Sequence, residues 1–212
     1  MSIPTDRRSR KRLATRQGIS NVATQLFFEK GFDRVTIDEI AAAADVGRMT
    51  VFNHFARKED MFFDRDEESR AILCDALRQR DPRIAPVEAV RLLAHRLVAE
   101  KSPFVEFSAA SRGFIETIAG SETLKACARA IRDEFAQLLT VELAACVGQK
   151  PSDPNAQLAA GLLVATWSVA LVEAHRSFRR SRNARNAKTA FLALIDQGVL
   201  GLKAALARTP YV

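Results

Sequence analysis

Between Thr36 and Phe55 the sequence specifies two very short helices around a tight turn, an arrangement common also in proteins that bind no DNA but with a known physical use. Thr36-Ile37-Asp38-Glu39 fits a capping box, in which the Thr36 hydroxyl accepts a backbone amide and Glu39 reaches back. The helix that follows turns Ile37, Ile40 and Ala41 inward. A turn at Ala44–Val46 then leads into a second short helix, from about Arg48 to Phe55. Ahead of the pair, Ile19, Val22, Ala23, Leu26 and Phe27 recur at helical spacing until Gly31, a fitting C-cap glycine. In such a trio the first two helices brace the third. The outer face of the third is left free to enter a groove about 12 Å wide.

The rest of the chain is helical too. No sustained period-two alternation and no Asn-Gly or Asp-Gly hairpin occurs, whereas Ala, Leu, Arg and Glu dominate. A longer helix is predicted from near Arg57 towards Arg80, and breaks are predicted at Asp81-Pro82, Pro86, Ser102-Pro103 and Gly120-Ser121. The clearest loop spans Gly148 to Pro154, and two long helices close the chain at roughly 155–178 and 187–207. An all-α fold of about nine helices is expected. It divides into a basic arm (1–12), a helix-turn-helix domain (13–63) and a larger helical domain (64–212).

Charge and chemistry narrow the function. Lys and Arg outnumber Asp and Glu by 32 to 25, which favours a polyanionic partner. No nucleophile–base pair, metal-spaced His/Asp/Glu set or glycine-rich phosphate loop stands out, so no catalytic residue, metal or cofactor is expected. Cys74, Cys127 and Cys146 are far apart, which suits a reducing compartment. They read as small apolar residues, with a redox-sensing thiol as the alternative. The N-terminus has no apolar run of a secretory signal. The apolar stretch Leu158–Val172 falls short of the ~18–20 residues of a membrane span, so a soluble protein with a buried helix is expected.

On the second short helix, Val46, Val51 and Phe55 are spaced to pack inward, while Arg48, Thr50, Asn53 and His54 remain for the surface. Thr50 and Asn53 read either as contact residues or as solvated polar positions, and His54 either as a contact residue or as a packing histidine. None of these outer residues is acidic, as suits a surface that approaches phosphates. The runs Phe27-Phe28-Glu29-Lys30-Gly31-Phe32, Thr36 to Ala41, Val46 to Phe55 and Lys58-Glu59 together resemble the TetR family of bacterial regulators. The resemblance covers about the first 65 residues.

What the resemblance implies is a dimeric, cytoplasmic regulator, most simply a repressor, that binds a palindromic operator in double-stranded DNA. It implies a DNA face made of Thr36, Arg48, Met49, Thr50, Phe52, Asn53, His54 and Lys58. Arg48 would meet base edges, Thr50 and His54 would reach phosphates, and Lys58 would bind a further phosphate at a helix start. Three positions depart from the family pattern. Gly47 stands where a capping serine is usual, Asp45 where glycine is frequent, and Phe52 where tyrosine is common. Phe52 therefore lacks a phenolic bond to phosphate. The basic run Arg7-Arg8-Ser9-Arg10-Lys11-Arg12 is either a solvated tail or an arm that follows DNA. The cluster Arg176, Arg179, Arg180, Arg182 and Arg185 reads as a solvated loop.

In the larger domain, Leu158, Leu162, Ala165, Val169 and Val172 repeat at near-heptad spacing on one helix. Phe191, Ile195, Val199, Leu202 and Leu206 do so on the next. Either stripe could face the chain's own core; the resemblance favours a four-helix dimer interface. Phe104, Phe107 and Phe114, with Trp167, are either core or the wall of a pocket for an apolar or amphipathic small-molecule effector. A regulator without a small ligand, or a helical enzyme, are the alternatives.

Overall fold

Side-chain caps start helices at Asp6, Thr36, Asp153 and Asn183 in the computed structural model, which describes residues 6–212. Among these residues are ten α-helices, two 3-10 turns and no strand. The helices are α1 (Arg7–Lys30), α2 (Ile37–Ala43), α3 (Arg48–His54), α4 (Glu59–Phe62) and α5 (Asp66–Arg78). They continue with α6 (Pro86–Ala99), α7 (Ala109–Ala119), α8 (Glu122–Cys146), α9 (Pro154–Ser181) and α10 (Ala184–Ala205). Gly31 ends α1 with a positive φ of 83°, a conformation that costs a glycine little. Asp45 turns the chain between α2 and α3 at φ 52°, which aspartate tolerates better than most residues.

Two compact units emerge. The first comprises the residues up to Glu68 together with Gly113–Arg129; the second comprises Ser69–Arg112 and Ala130–Val212. Of the basic arm, residues 1–5 lie outside the described residues. Arg7–Arg12 form the first turns of α1, where Asp6 caps the helix through the Ser9 amide. These arginines are therefore carried on a helix and not on an extended strand.

The single helix expected from Arg57 to Arg80 is interrupted. After α4 the backbone breaks at Phe63–Arg65 and resumes as α5. The cause is tertiary. Phe62 and Phe63 pack edge-on to each other, and the Asp64 carboxylate accepts hydrogen bonds from Ser20 and Gln17 of α1. A continuous helix could not serve all three contacts.

The second unit is built around α9 and α10. Ala156, Ala160, Leu163, Ala170 and Ala174 of α9 are buried, as are Phe191, Ile195, Val199 and Leu202 of α10. The α10 stripe therefore faces the chain's own core, which corrects its assignment to a dimer interface. By contrast Leu158 and Val169 of α9 are exposed and Leu162 is half-buried. By length and composition α9 could also cross a membrane. It runs to 28 residues, well past the apolar stretch visible in the sequence, because Asp153 caps its start and Arg182 closes it in a left-handed conformation. Near the C-terminus, buried Tyr211 donates its hydroxyl to Asp153 at 2.6 Å and its carbonyl accepts the Val87 amide at 3.2 Å.

Close approach of α9 and α10 depends on Gly198, where an added Cβ would lie 2.4 Å from Thr166 Cγ2. Gly198→Ala is expected to destabilise the protein by about 1–3 kcal/mol through overpacking. Thr166→Ala in the same chain should recover most of the loss. Urea unfolding midpoints of the two variants measure both effects.

Candidate nucleic-acid interface

The first unit holds α3 from behind with an apolar cluster. Phe27, Phe32 and Phe62 pack ring against ring with centroids 4.9–6.4 Å apart, and Phe62 stacks on Phe114 at 4.4 Å. Ile19, Ala23, Ile40, Val51, Phe55 and Leu124 complete this core. Val51 and Phe55 thus face inward, as their spacing predicts, and Val46 packs against the same cluster. In front of it, the capping box at the start of α2 is complete. The Thr36 hydroxyl accepts the Glu39 amide at 3.2 Å, and Glu39 accepts the Thr36 amide at 2.9 Å. Lys30 also bonds Glu39. That bond and those from Thr36 hold the Glu39 carboxyl down at about 2.

With its inner face packed, α3 presents Arg48, Met49, Phe52 and Asn53 as exposed side chains, and Thr50 and His54 as half-buried ones. The side chains of Thr50 and Asn53 have no hydrogen-bond partner among the described residues, so their polar atoms are free for a ligand. Met49 and Phe52 are large exposed apolar groups, suited to sugar or thymine-methyl contact. Gly47 precedes the helix without a side-chain cap, which glycine tolerates at a cost of a few tenths of a kcal/mol (~0.3) relative to serine. Thr36, engaged in its capping box, is exposed.

Several contributors were not visible in the sequence. Arg16 of α1 donates to the His54 carbonyl oxygen, and its guanidinium lies 4.1 Å over the Phe55 ring. It pins the C-terminal end of α3. Partial burial lowers the His54 imidazole from its ordinary range, and the charges of Arg12 and Arg16 push it the same way. Asp38 of α2 is the second. Its carboxylate accepts two hydrogen bonds from Arg48 Nη1, both at 3.1 Å. An acidic group therefore does stand beside the α3 surface.

Lys58 sits differently from its expected role. Its ammonium donates to the carbonyl oxygens of Phe32 at 2.9 Å and Val35 at 3.0 Å, 4.2 Å above the Phe32 ring centre. It ties down the turn that precedes α2. Lys58→Met is expected to lower stability by about 1–3 kcal/mol, since two charged hydrogen bonds are lost and the Phe32 carbonyl keeps only its bond from the Val35 amide. Thermal unfolding without DNA checks this; an unchanged midpoint would return the ammonium to a purely external role.

Of the expected pocket residues, Phe107 and Trp167 both meet the Phe191 ring. Phe114 belongs to the first unit's aromatic cluster. Phe107 is buried in the second unit, 5.1 Å from His175 and 6.0 Å from Phe191, and Trp167 meets Phe191 edge-on at 5.5 Å. Phe104 lies half-buried on the 3-10 turn Pro103–Val105. Pro103 and the turn after it break the helical register that the spacing of the three phenylalanines implied. Burial lowers the His175 imidazole, whose Nδ1 has no hydrogen-bond partner among the described residues. A cleft of about 330 Å³ in the second unit instead involves Arg80, Ile84, Leu92, Leu93 and Arg96. Burial pushes the thiols of Cys74 and Cys146 up, away from the reactive thiolate form.

Residues 19–64 match the family described as bacterial regulatory proteins, tetR family. That segment, and not the whole chain, is similar to the tetR family. The same region is similar to two curated transcriptional regulators. Identity is 45% over 49 residues to MftR of Mycobacterium tuberculosis, assigned to mycofactocin biosynthesis, and 39% over 54 residues to TcmR of Streptomyces glaucescens. These matches cover 23% and 26% of this chain, and only about a quarter of each relative's length (25% and 24%). Over most of the chain the fold is shared with solved structures. SmeT in complex with triclosan superposes with a TM-score of 0.58 at 21% identity, over 89% of this chain and 91% of that one. NalD of Pseudomonas aeruginosa, the secondary repressor of the MexAB-OprM efflux pump, gives 0.56 at 19%, over 89% and 95%.

Proposed function

We propose that the protein is a DNA-binding transcriptional regulator, a cytoplasmic homodimeric repressor released from a palindromic operator by an apolar or amphipathic small molecule. The observation that carries this reading is the braced helix α3, which leaves Arg48, Met49, Phe52 and Asn53 exposed to solvent. Thr50 and His54 at its flank, with Thr36 at the start of α2, supply phosphate contacts, and Lys58 holds the supporting turn. The regulatory family of residues 19–64 argues for a regulator and not an enzyme.

Dimerisation is supported by large apolar side chains that the fold leaves uncovered, namely Leu158, Val169 and Val172 on α9 and Leu200 on α10. The last of these, 71% exposed, replaces the buried stripe as the α10 contribution. A small-molecule effector is supported by fold likeness to SmeT, which was solved with triclosan bound. A regulator that answers to another protein is the second reading; Phe107 and Phe191, in ring contact and buried, pack there as core.

Operator binding should weaken by about three to five decades between 50 and 200 mM salt, as expected for roughly six to ten phosphate contacts. Arg48→Ala should cost about 1–3 kcal/mol and blur preference at one base position per half-site. Titration of the full chain against a duplex selected from a randomised palindromic pool measures both. Salt-independent binding, or none to any duplex, would sink the proposal.

A further inference from the structure

The contact between Arg48 and Asp38 has a geometry that goes beyond a surface ion pair. Both side chains are more than half exposed, so the pair contributes little to stability. Its effect is on orientation. Both hydrogen bonds come from one nitrogen, Nη1, and span the two carboxylate oxygens at equal length. The Phe52 ring, 5.6 Å from the guanidinium carbon, flanks it on a second side. A guanidinium fixed at Nη1 still has its Nε–H and one Nη2–H, which form a parallel pair of donors along one edge. In the major groove only guanine offers two adjacent acceptors, O6 and N7. Adenine offers an acceptor beside a donor, which the same edge would reject.

We infer that Asp38 is a specificity-determining positioning residue, which holds Arg48 so that its Nε/Nη2 edge reads a guanine in each half-site. The inference rests on the proposal that α3 enters the major groove. A carboxylate on a DNA-facing surface weakens the attraction for phosphates. Asp38 therefore trades general affinity for a fixed donor edge. Arg48 without it would rotate freely on a long side chain and serve phosphates and bases alike. The two residues sit ten apart, on different helices, and the turn at Asp45 sets their approach.

The test uses the full-length chain and duplexes selected from a randomised palindromic pool. Each selected duplex is compared with one carrying A·T in place of G·C at the position where Arg48→Ala removes preference. Wild type should favour G·C there by roughly tenfold or more. Asp38→Asn should reduce that preference to about twofold while leaving affinity for unrelated duplex equal or tighter. Arg48→Ala with Asp38→Asn should be no less selective than Arg48→Ala alone. Asp38 is exposed, and thermal unfolding of Asp38→Asn verifies that the fold is retained. The inference is overturned if Asp38→Asn keeps the tenfold preference, or if the base read through Arg48 is not guanine. Absence of any wild-type binding to the pool would instead overturn the reading of α3 on which it rests.

Discussion

The packing of Phe27, Phe32 and Phe62 is the constraint on which the rest of the first unit depends. These three rings are nearly or fully buried, and replacing such a ring by alanine typically costs about 3–5 kcal/mol. They do more than supply apolar area. Phe32 sits in the 3-10 turn that Lys58 holds, and that turn delivers Thr36 to its capping position. Phe62 packs edge-on to Phe63 where the chain stops and restarts between α4 and α5. Helices α2 and α3 have only seven residues each, far below the length at which a helix is stable alone. Tertiary packing is what makes them helices, and it also fixes which face of α3 remains outside.

On that outer face, the chemistry is set by what the fold does not consume. Arg16 and Lys58 spend donors on backbone carbonyl oxygens, so their charge steadies the unit before it can attract anything else. Thr50 and Asn53 spend nothing. Arg48 is intermediate, with one nitrogen engaged by Asp38 and an edge left open. A basic surface is thus divided into side chains that brace the unit and side chains left open, a distinction that net charge cannot express.

Much of this was legible because it is local. The capping box at Thr36 and Glu39, the positive φ at Gly31 and Asp45, and the inward spacing of Val51 and Phe55 each involve residues within a few positions of one another. The contacts that escaped are those closed through space: Arg16 with His54, Asp38 with Arg48, and Lys58 with the Phe32 and Val35 carbonyls. Apolar periodicity on α9 and α10 was visible, but a stripe says only that something covers it. Phe191, Ile195, Val199 and Leu202 are covered by their own chain, while Leu158 and Val169 are not. The spacing of Phe104, Phe107 and Phe114 misled for a related reason. A helical register carries meaning only if one helix runs through all three, and the turn at Pro103 and the start of α7 at Ala109 separate them.

Hydrogen–deuterium exchange of the full chain, with and without a selected palindromic duplex, tests the central claim most directly. The segment from Thr36 to Lys58 should gain protection on adding DNA, most strongly at the amides of α3, while the arginine-rich stretch from Arg176 to Arg185 stays unchanged. Protection confined to Arg176–Arg185, with Thr36–Lys58 unaffected by a duplex that demonstrably binds, would contradict it.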